Sequence, residues 1–172
     1  MIFISGIHGV GKSYFTEEIK RKCNIEAYTA SSLISDYKKC SFESSKLASN
    51  ISDNQQILIE ELRRKESKNN KFVLDGHFCL LNKNGEIERI EFSTFTQIAP
   101  KAILLLTEDA EIIADRRKCR DGIEIDIGDI DSFQNEEKQY ALEVAEFLNV
   151  PIFISSGSKD LEKAIDFIIK NI

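Results

Sequence analysis

The 172-residue chain is predicted to fold as an α/β domain with a mainly parallel sheet and helices on both faces. Three observations predict this. Short apolar, β-prone runs alternate with longer segments of helical spacing. Glycine, aspartate or serine punctuates the ends of those runs. A hydrophobic content of 42% at this length is enough for one compact domain whose sheet is covered on both sides.

The first run is Ile2, Phe3 and Ile4, closed by Gly6, and a helix is expected over 13–22. A weaker strand follows at 25–29. Residues 31–52, rich in Ser, Lys and Asn, fit the alternation poorly and read as a flexible excursion. Helical spacing resumes over 53–68. Phe72, Val73 and Leu74 form the third strand, ended by Asp75 and Gly76. The fourth strand, 102–106, stops at Thr107, Glu108 and Asp109, and a helix is expected over 108–118. The next stretch, "CRDGIEIDIGDID" at 119–131, reads as a second flexible excursion, its acidic residues a solvated loop. A helix over 132–148 leads to the fifth strand, 150–154, which ends at Ser155, Ser156 and Gly157. In the last helix, 159–170, Leu161, Ala164, Ile165 and Ile168 fall on one face. Ligands of open α/β sheets bind outside the carboxyl ends of the strands, so these turns are where chemistry is expected.

The net charge of −6 and the pI near 5.1 leave no basic stripe for a nucleic-acid backbone, so duplex nucleic acid is not expected as a partner. The four cysteines are widely spaced and form no C-x-x-C pair, which fits reduced thiols in a cytoplasmic protein. The first residues carry no positive n-region, and "AILLL" is too short to span a membrane.

The stretch 6–13, "GIHGVGKS", satisfies G-x-x-x-x-G-K-[ST] between a strand and a helix, the phosphate-cradling P-loop pattern. Gly6, Gly9 and Gly11 let the main chain approach polyphosphate, and the helix start supplies a positive dipole end. Lys12 is expected on the β and γ phosphates and Ser13 on Mg²⁺, so ATP and Mg²⁺ are the expected cofactors. Val10 and Tyr14 complete the cradle. His8 either reaches the ligand or is a tolerated loop residue.

Asp75, in "FVLDGHF" at 72–78, is placed by its strand beside this loop, where a carboxylate would hold Mg²⁺. His77 is either a proton relay or acceptor contact, or a packed, hydrogen-bonded histidine. Arg116 and Arg120, in "ADRRKCRDG" at 114–122, share a helix face and would neutralise charge on a transferring phosphoryl group.

The order of P-loop, Asp75 turn, arginine-bearing segment and Ser-Gly turn resembles the P-loop nucleoside monophosphate kinase superfamily. Within it, the Asp75-Gly76-His77 motif is most similar to the archaeal-type and nuclear adenylate kinase-like proteins, AAA-type ATP-binding proteins. The resemblance spans nearly all of 1–172. It implies a three-layer sandwich whose five-stranded parallel sheet has the order 2-3-1-4-5, an acceptor-binding excursion at about 30–70 and a lid at about 116–131. Carried over by position, Arg116 lies against adenine or phosphates, Arg120 closes on the transferring group, and Ser156, Gly157 and Ser158 line the adenine. Two places where many adenylate kinases hold acceptor-phosphate arginines read Ser-Asp-Tyr-Lys-Lys and Phe-Cys here. Gln134, Asn135 and Lys138 stand where relatives often have another arginine.

The resemblance implies phosphoryl transfer to a nucleoside monophosphate, with Lys38, Lys39, Lys46, Arg63 and Arg64 as the available cations for its phosphate. Two alternatives stay open. One is a kinase for a nucleoside, a sugar acid or a polynucleotide end, and the other a slow ATPase that acts as a switch or assembly factor on a protein partner.

Overall fold

The computed structural model describes residues 1–40, 51–68, 71–122 and 124–172. Five parallel strands form the sheet: β1 (Ile2–Ser5), β2 (Glu26–Thr29), β3 (Phe72–Asp75), β6 (Ala102–Thr107) and β7 (Ile152–Ser156). An antiparallel pair, β4 (Cys79–Leu81) and β5 (Ile87–Arg89), stands apart from it. The order across the sheet is β2-β3-β1-β6-β7. Counting the parallel strands alone, this is 2-3-1-4-5, as expected. The helices are α1 (Lys12–Cys23), α2 (Ala30–Cys40), α3 (Ile51–Glu66), α4 (Phe92–Ile98), α5 (Ala110–Asp121), α6 (Ile127–Leu148) and α7 (Leu161–Asn171).

Parallel strands covered on both faces should read as continuous apolar runs, and they do. β1 and β3 are buried along their whole lengths, and β6 is buried through its first five residues. Phe3, Phe78 and Phe95 pack edge-on or tilted in one aromatic cluster under the turn that follows β3. Tyr140 of α6 closes that cluster and donates its hydroxyl to the Ile90 carbonyl at 2.7 Å.

Both segments expected to be flexible are partly helical. In the first, α2 runs through Cys40 and α3 begins at Ile51; residues 41–50, including Lys46, lie outside the described residues. In the second, α5 continues to Asp121 and α6 starts at Ile127, a full turn earlier than the spacing indicated. Asp126 caps α6 by accepting from the Gly128 amide at 2.8 Å, which converts part of the acidic run into a helix start. The β4–β5 pair and α4 were not expected at all, because their strands are three residues each and largely exposed.

One polar side chain fixes the centre. Glu137 of α6 is 1% exposed and accepts from the Phe78 amide at 2.9 Å, from the Cys79 amide at 2.6 Å and from the Ser5 hydroxyl. It therefore ties the end of β1, the turn after β3 and α6 together. Truncation to alanine leaves those three buried donors without an acceptor, each at about 1–3 kcal/mol. Glu137→Ala is expected to lower stability by at least about 2 kcal/mol in urea denaturation, with Glu137→Gln, which keeps one oxygen acceptor, losing less.

Candidate active site

β1 lies between β3 and β6, and Ile4 is in register with Asp75. The carboxyl end of β1 and the Asp75 turn are thereby set side by side, and the Gly76 amide donates to the Ile4 carbonyl at 2.9 Å. The 6–13 loop springs from this edge. Gly6 adopts φ 144°, and a Cβ on it would lie 2.6 Å from the Leu106 carbonyl oxygen. Gly11, at φ 110°, is the N-cap of α1 and leaves the helix start uncapped by any side chain. The first-turn amides of α1 are thus available to a ligand.

Lys12 is buried and folds back to donate to the Gly6 carbonyl. Its Nζ stands 3.4 Å from His77 Nε2 and 3.8 Å from Asp75 Oδ1, the latter too long for a hydrogen bond. Burial lowers the Lys12 pKa, and the charges of Asp75 and Glu137 oppose that shift. Asp75, 9% exposed, is raised to about 6 by burial, with the Lys12 charge pulling the other way. Glu137 is raised by burial as well.

Ser13 and Asp75 line the same cleft. A buried carboxylate whose one charged neighbour among the described residues is Lys12 at 3.8 Å, beside an exposed serine hydroxyl, is a donor set that suits Mg²⁺. That ion takes one or two protein oxygens and completes its shell with water and phosphate. The residues present fit the expected metal.

His77 is pushed down to about 2, first by burial and then by the Lys12 and His8 environments, so it is a neutral imidazole at working pH. Its Nδ1 is buried without a hydrogen-bond partner. The His8 ring lies 4.5 Å from that of His77, centroid to centroid, so His8 does face the cleft.

The arginines of α5 differ. Arg116 donates to the Val10 carbonyl at 3.0 Å and to Glu108 at 3.1 Å, bracing the loop from outside. Arg120 lines the cleft, but its guanidinium is held by Asp121 through two 2.7 Å contacts. Arg117, unremarked in the sequence, lies over Gly9, where a Cβ would meet its Cγ at 2.9 Å. Gln134 holds the Glu108 backbone through both its amide and its carbonyl, at 3.0 and 2.9 Å.

A cleft of about 670 Å³ gathers His8, Gly9, Gly11, Lys12, Ser13, Asp75, His77, Arg116 and Arg120. Gly6 does not line it and holds Lys12 through its carbonyl. The side chain of Val10 is in the core and Tyr14 is 61% exposed, so neither side chain lines the cleft. Ser156 borders a separate groove of about 260 Å³ with Gln134, Asn135 and Lys138. Gly157, at φ 64°, is packed against the Glu108 carboxylate, and the Ser158 side chain lies outside the description. Sequence reasoning missed Arg117 and Glu137; it named Glu108 only as part of a strand-end turn and Gln134 only as standing where relatives often have an arginine, without their contact.

A family model described as an AAA domain matches residues 5–134. Among solved structures, the chain is similar to a gluconokinase from Sinorhizobium meliloti, at a TM-score of 0.53 and 15% identity, with 99% of this chain and 89% of that one covered. A sugar kinase from Janibacter is similar at 0.54 and 13%, covering 99% and 92%. An uncharacterized protein from Eubacterium ventriosum gives 0.52 and 16%, covering 98% and 95%. At these identities the likeness is one of fold. No curated protein sequence matches the chain.

The raised pKa of Asp75 has a consequence for stability. Its folded value exceeds the ordinary 3.8, so the ligand-free folded protein binds that proton more tightly than the unfolded chain does. The associated stability is full below about pH 4 and is lost as pH rises through about 6. Asp75→Asn removes the buried charge. It is expected to stabilise the ligand-free protein at pH 7.5 by up to about 3 kcal/mol, less whatever pairing with Lys12 is lost. The gain should shrink toward zero near pH 4, and urea midpoints of both proteins across that range measure it.

Proposed function

The chain belongs to this AAA-domain family, and from that premise we propose that it is a phosphotransferase. It moves the γ-phosphoryl group of ATP to a hydroxyl of a small acceptor that carries no phosphate. The observation that carries this reading is the distribution of charge around the cleft. Its lysine and arginines, Lys12, Arg116 and Arg120, belong to the loop and α5. The remaining wall, where the acceptor would lie, is formed by Thr29, Ala30, Ser31, Gly76, His77 and Leu80, with no Lys or Arg among the described residues.

A monophosphate bound there needs a cation to offset its desolvation. The described cations named for that task are engaged elsewhere or absent from the lining. Lys38 donates to Asn54 at 2.7 Å, Lys39 faces Asp36 at 3.8 Å and Arg64 pairs with Glu61 at 2.8 Å. Arg63 is exposed and does not line the cleft. This favours the kinase for an unphosphorylated hydroxyl compound over the nucleoside monophosphate kinase. The gluconokinase and sugar kinase names of the structural neighbours support the same choice.

In this mechanism the loop amides and Lys12 bind the β and γ phosphates, and Lys12 neutralises charge that develops on the transferring group. Ser13 and Asp75 would hold Mg²⁺, which supplies further neutralisation of the phosphate oxygens when bound. Arg116 keeps the loop in shape through the Val10 carbonyl. Arg120, on the exposed end of α5, exchanges Asp121 for the phosphoryl group. His77, neutral and between Lys12 and the acceptor wall, orients the acceptor hydroxyl.

The test measures ADP release at matched ATP with nucleosides, sugars, sugar acids and nucleoside monophosphates. An unphosphorylated acceptor is expected to raise release above the water background. Stimulation only by monophosphates would overturn the reading. Lys12→Ala should abolish turnover and weaken ATP binding by calorimetry, with little change in melting temperature. Arg120→Ala should lower kcat by on the order of 10² with ATP affinity preserved; equal kcat would remove Arg120 from the reaction.

A further inference from the structure

A second cavity, of about 150 Å³, lies behind the turn formed by Gly76 and His77. Ala30, Ser31, Gly76, His77 and Leu80 line both spaces, so it opens from the acceptor wall of the cleft. Its walls include Phe3, Ile34, Leu58, Ile90, Phe95 and Ile98. Against this apolar lining stand Ser31, Asn54, Gln55 and Thr94, together with His77. Among the described residues no Lys, Arg, Asp or Glu reaches it.

Three polar groups there are short of partners. Gln55 is half-buried, and its side chain makes no hydrogen bond among the described residues. The Asn54 amide oxygen is taken by Lys38, which leaves its NH₂ as the donor on offer. His77 Nδ1 is fully buried and unpaired.

We propose that this cavity recognises the acceptor, and that the acceptor is an uncharged alcohol built on a flat heterocyclic ring, the nucleoside class. This rests on the phosphotransferase reading of the cleft. Charge argues first: among the described residues no cation lines the cavity, and Lys38, which reaches the Asn54 amide oxygen, is engaged there, so a buried phosphate or carboxylate costs several kcal/mol, which disfavours nucleotides and sugar acids. Polarity argues next. A sugar carries a hydroxyl on nearly every carbon and would leave most of them unpaired against Leu58, Ile98 and Phe95. A heterocycle presents two apolar faces to such walls and a polar edge to a few amides and hydroxyls.

Size completes the argument. The cavity is smaller than the roughly 300–1,000 Å³ that holds a whole drug-sized ligand, so it takes the ring alone. The hydroxyl-bearing remainder extends past His77 into the large cleft, toward the phosphate loop. In the reaction the acceptor hydroxyl oxygen forms a bond to the γ phosphorus, and the bond from that phosphorus to the β–γ bridging oxygen breaks. ADP keeps the electron pair, and the hydroxyl proton passes to solvent.

The experiment separates binding from turnover. Calorimetry on the full chain, saturated with a non-hydrolysable ATP analogue and Mg²⁺, measures binding of five probes: adenosine, cytidine, uridine, gluconate and AMP. At least one nucleoside is expected to bind at least tenfold more tightly than gluconate or AMP. Gln55→Leu and Asn54→Leu, which touch only the second cavity, should weaken that binding about tenfold and leave affinity for the ATP analogue unchanged. Tighter binding of gluconate or AMP, or nucleoside binding indifferent to both variants, overturns the inference. A nucleoside that binds as expected but is never phosphorylated from ATP leaves the recognition site standing and overturns the phosphotransferase reading instead.

Discussion

The geometry of the cleft depends on one buried carboxylate. Glu137 reaches from α6 to the ends of both central strands and accepts from Ser5, Phe78 and Cys79 at once. Without it the phosphate loop and the Asp75 turn keep the sheet ladder, the bond from Gly76 to Ile4 and the contacts of Lys12 and His8 with Asp75 and His77. The same carboxylate sets the charge balance, because Lys12 senses both Asp75 and Glu137. Two buried carboxylates facing one buried lysine leave an excess of negative charge when all are ionised. Burial penalises the charged form of each group more than their mutual attraction favours it, which is why both acids are raised while the lysine is lowered. A site built this way is strained by its own charges and is relieved by an added cation.

The outer rim shows a different balance, with Arg116 and Arg120 each already paired. Arg116 is shared between loop carbonyls and Glu108, and Glu108 is itself fixed by Gln134 and set against Gly157. This chain connects the phosphate loop, α5, α6 and the end of β7 in a continuous polar contact. Arg120 belongs to no such chain. Its partner Asp121 is the next residue, and the exposed pair is weakly held by comparison. The difference separates an arginine that braces from one that is free to exchange partners.

The fold was legible because its signals are local and repeated. Five apolar runs, five helical segments and the turn residues between them lie in the sequence close to where the structure has them. The phosphate loop was legible because its mechanism demands glycine at set intervals and a Lys-Ser pair. The helical content of 31–40 and 127–131 was not, since the Ser and Asp residues there and Gly128 are weak helix formers, and tertiary contacts and a cap decide the outcome. Glu137 left a trace that went unread: it sits in the apolar stripe of α6 with Phe133, Tyr140, Ala141 and Val144, where a charge has no place unless it is bound. Glu108 and Gln134 left none, because their meeting depends on how α6 crosses β6.

The two halves of the cleft are recognised by different physics, and this decides what a sequence can reveal about each. Polyphosphate is held by backbone amides and fixed charge, which confine residue choice to a short contiguous pattern. On the proposed reading, a neutral acceptor would be held by shape and a few scattered groups drawn from β1, α2, α3, α4 and the β3 turn. No spacing rule links Phe3 to Asn54 or Phe95, so no motif could announce their convergence. The Phe3 ring joins the halves in space: it rises from the strand that launches the phosphate loop, packs against Phe78 and Phe95, and would clash with any Cβ at Gly76. The glycine in the Asp75 turn is thus required by the aromatic floor of the second cavity, and a change in that floor would bear on the Asp75 carboxylate next to it in the chain.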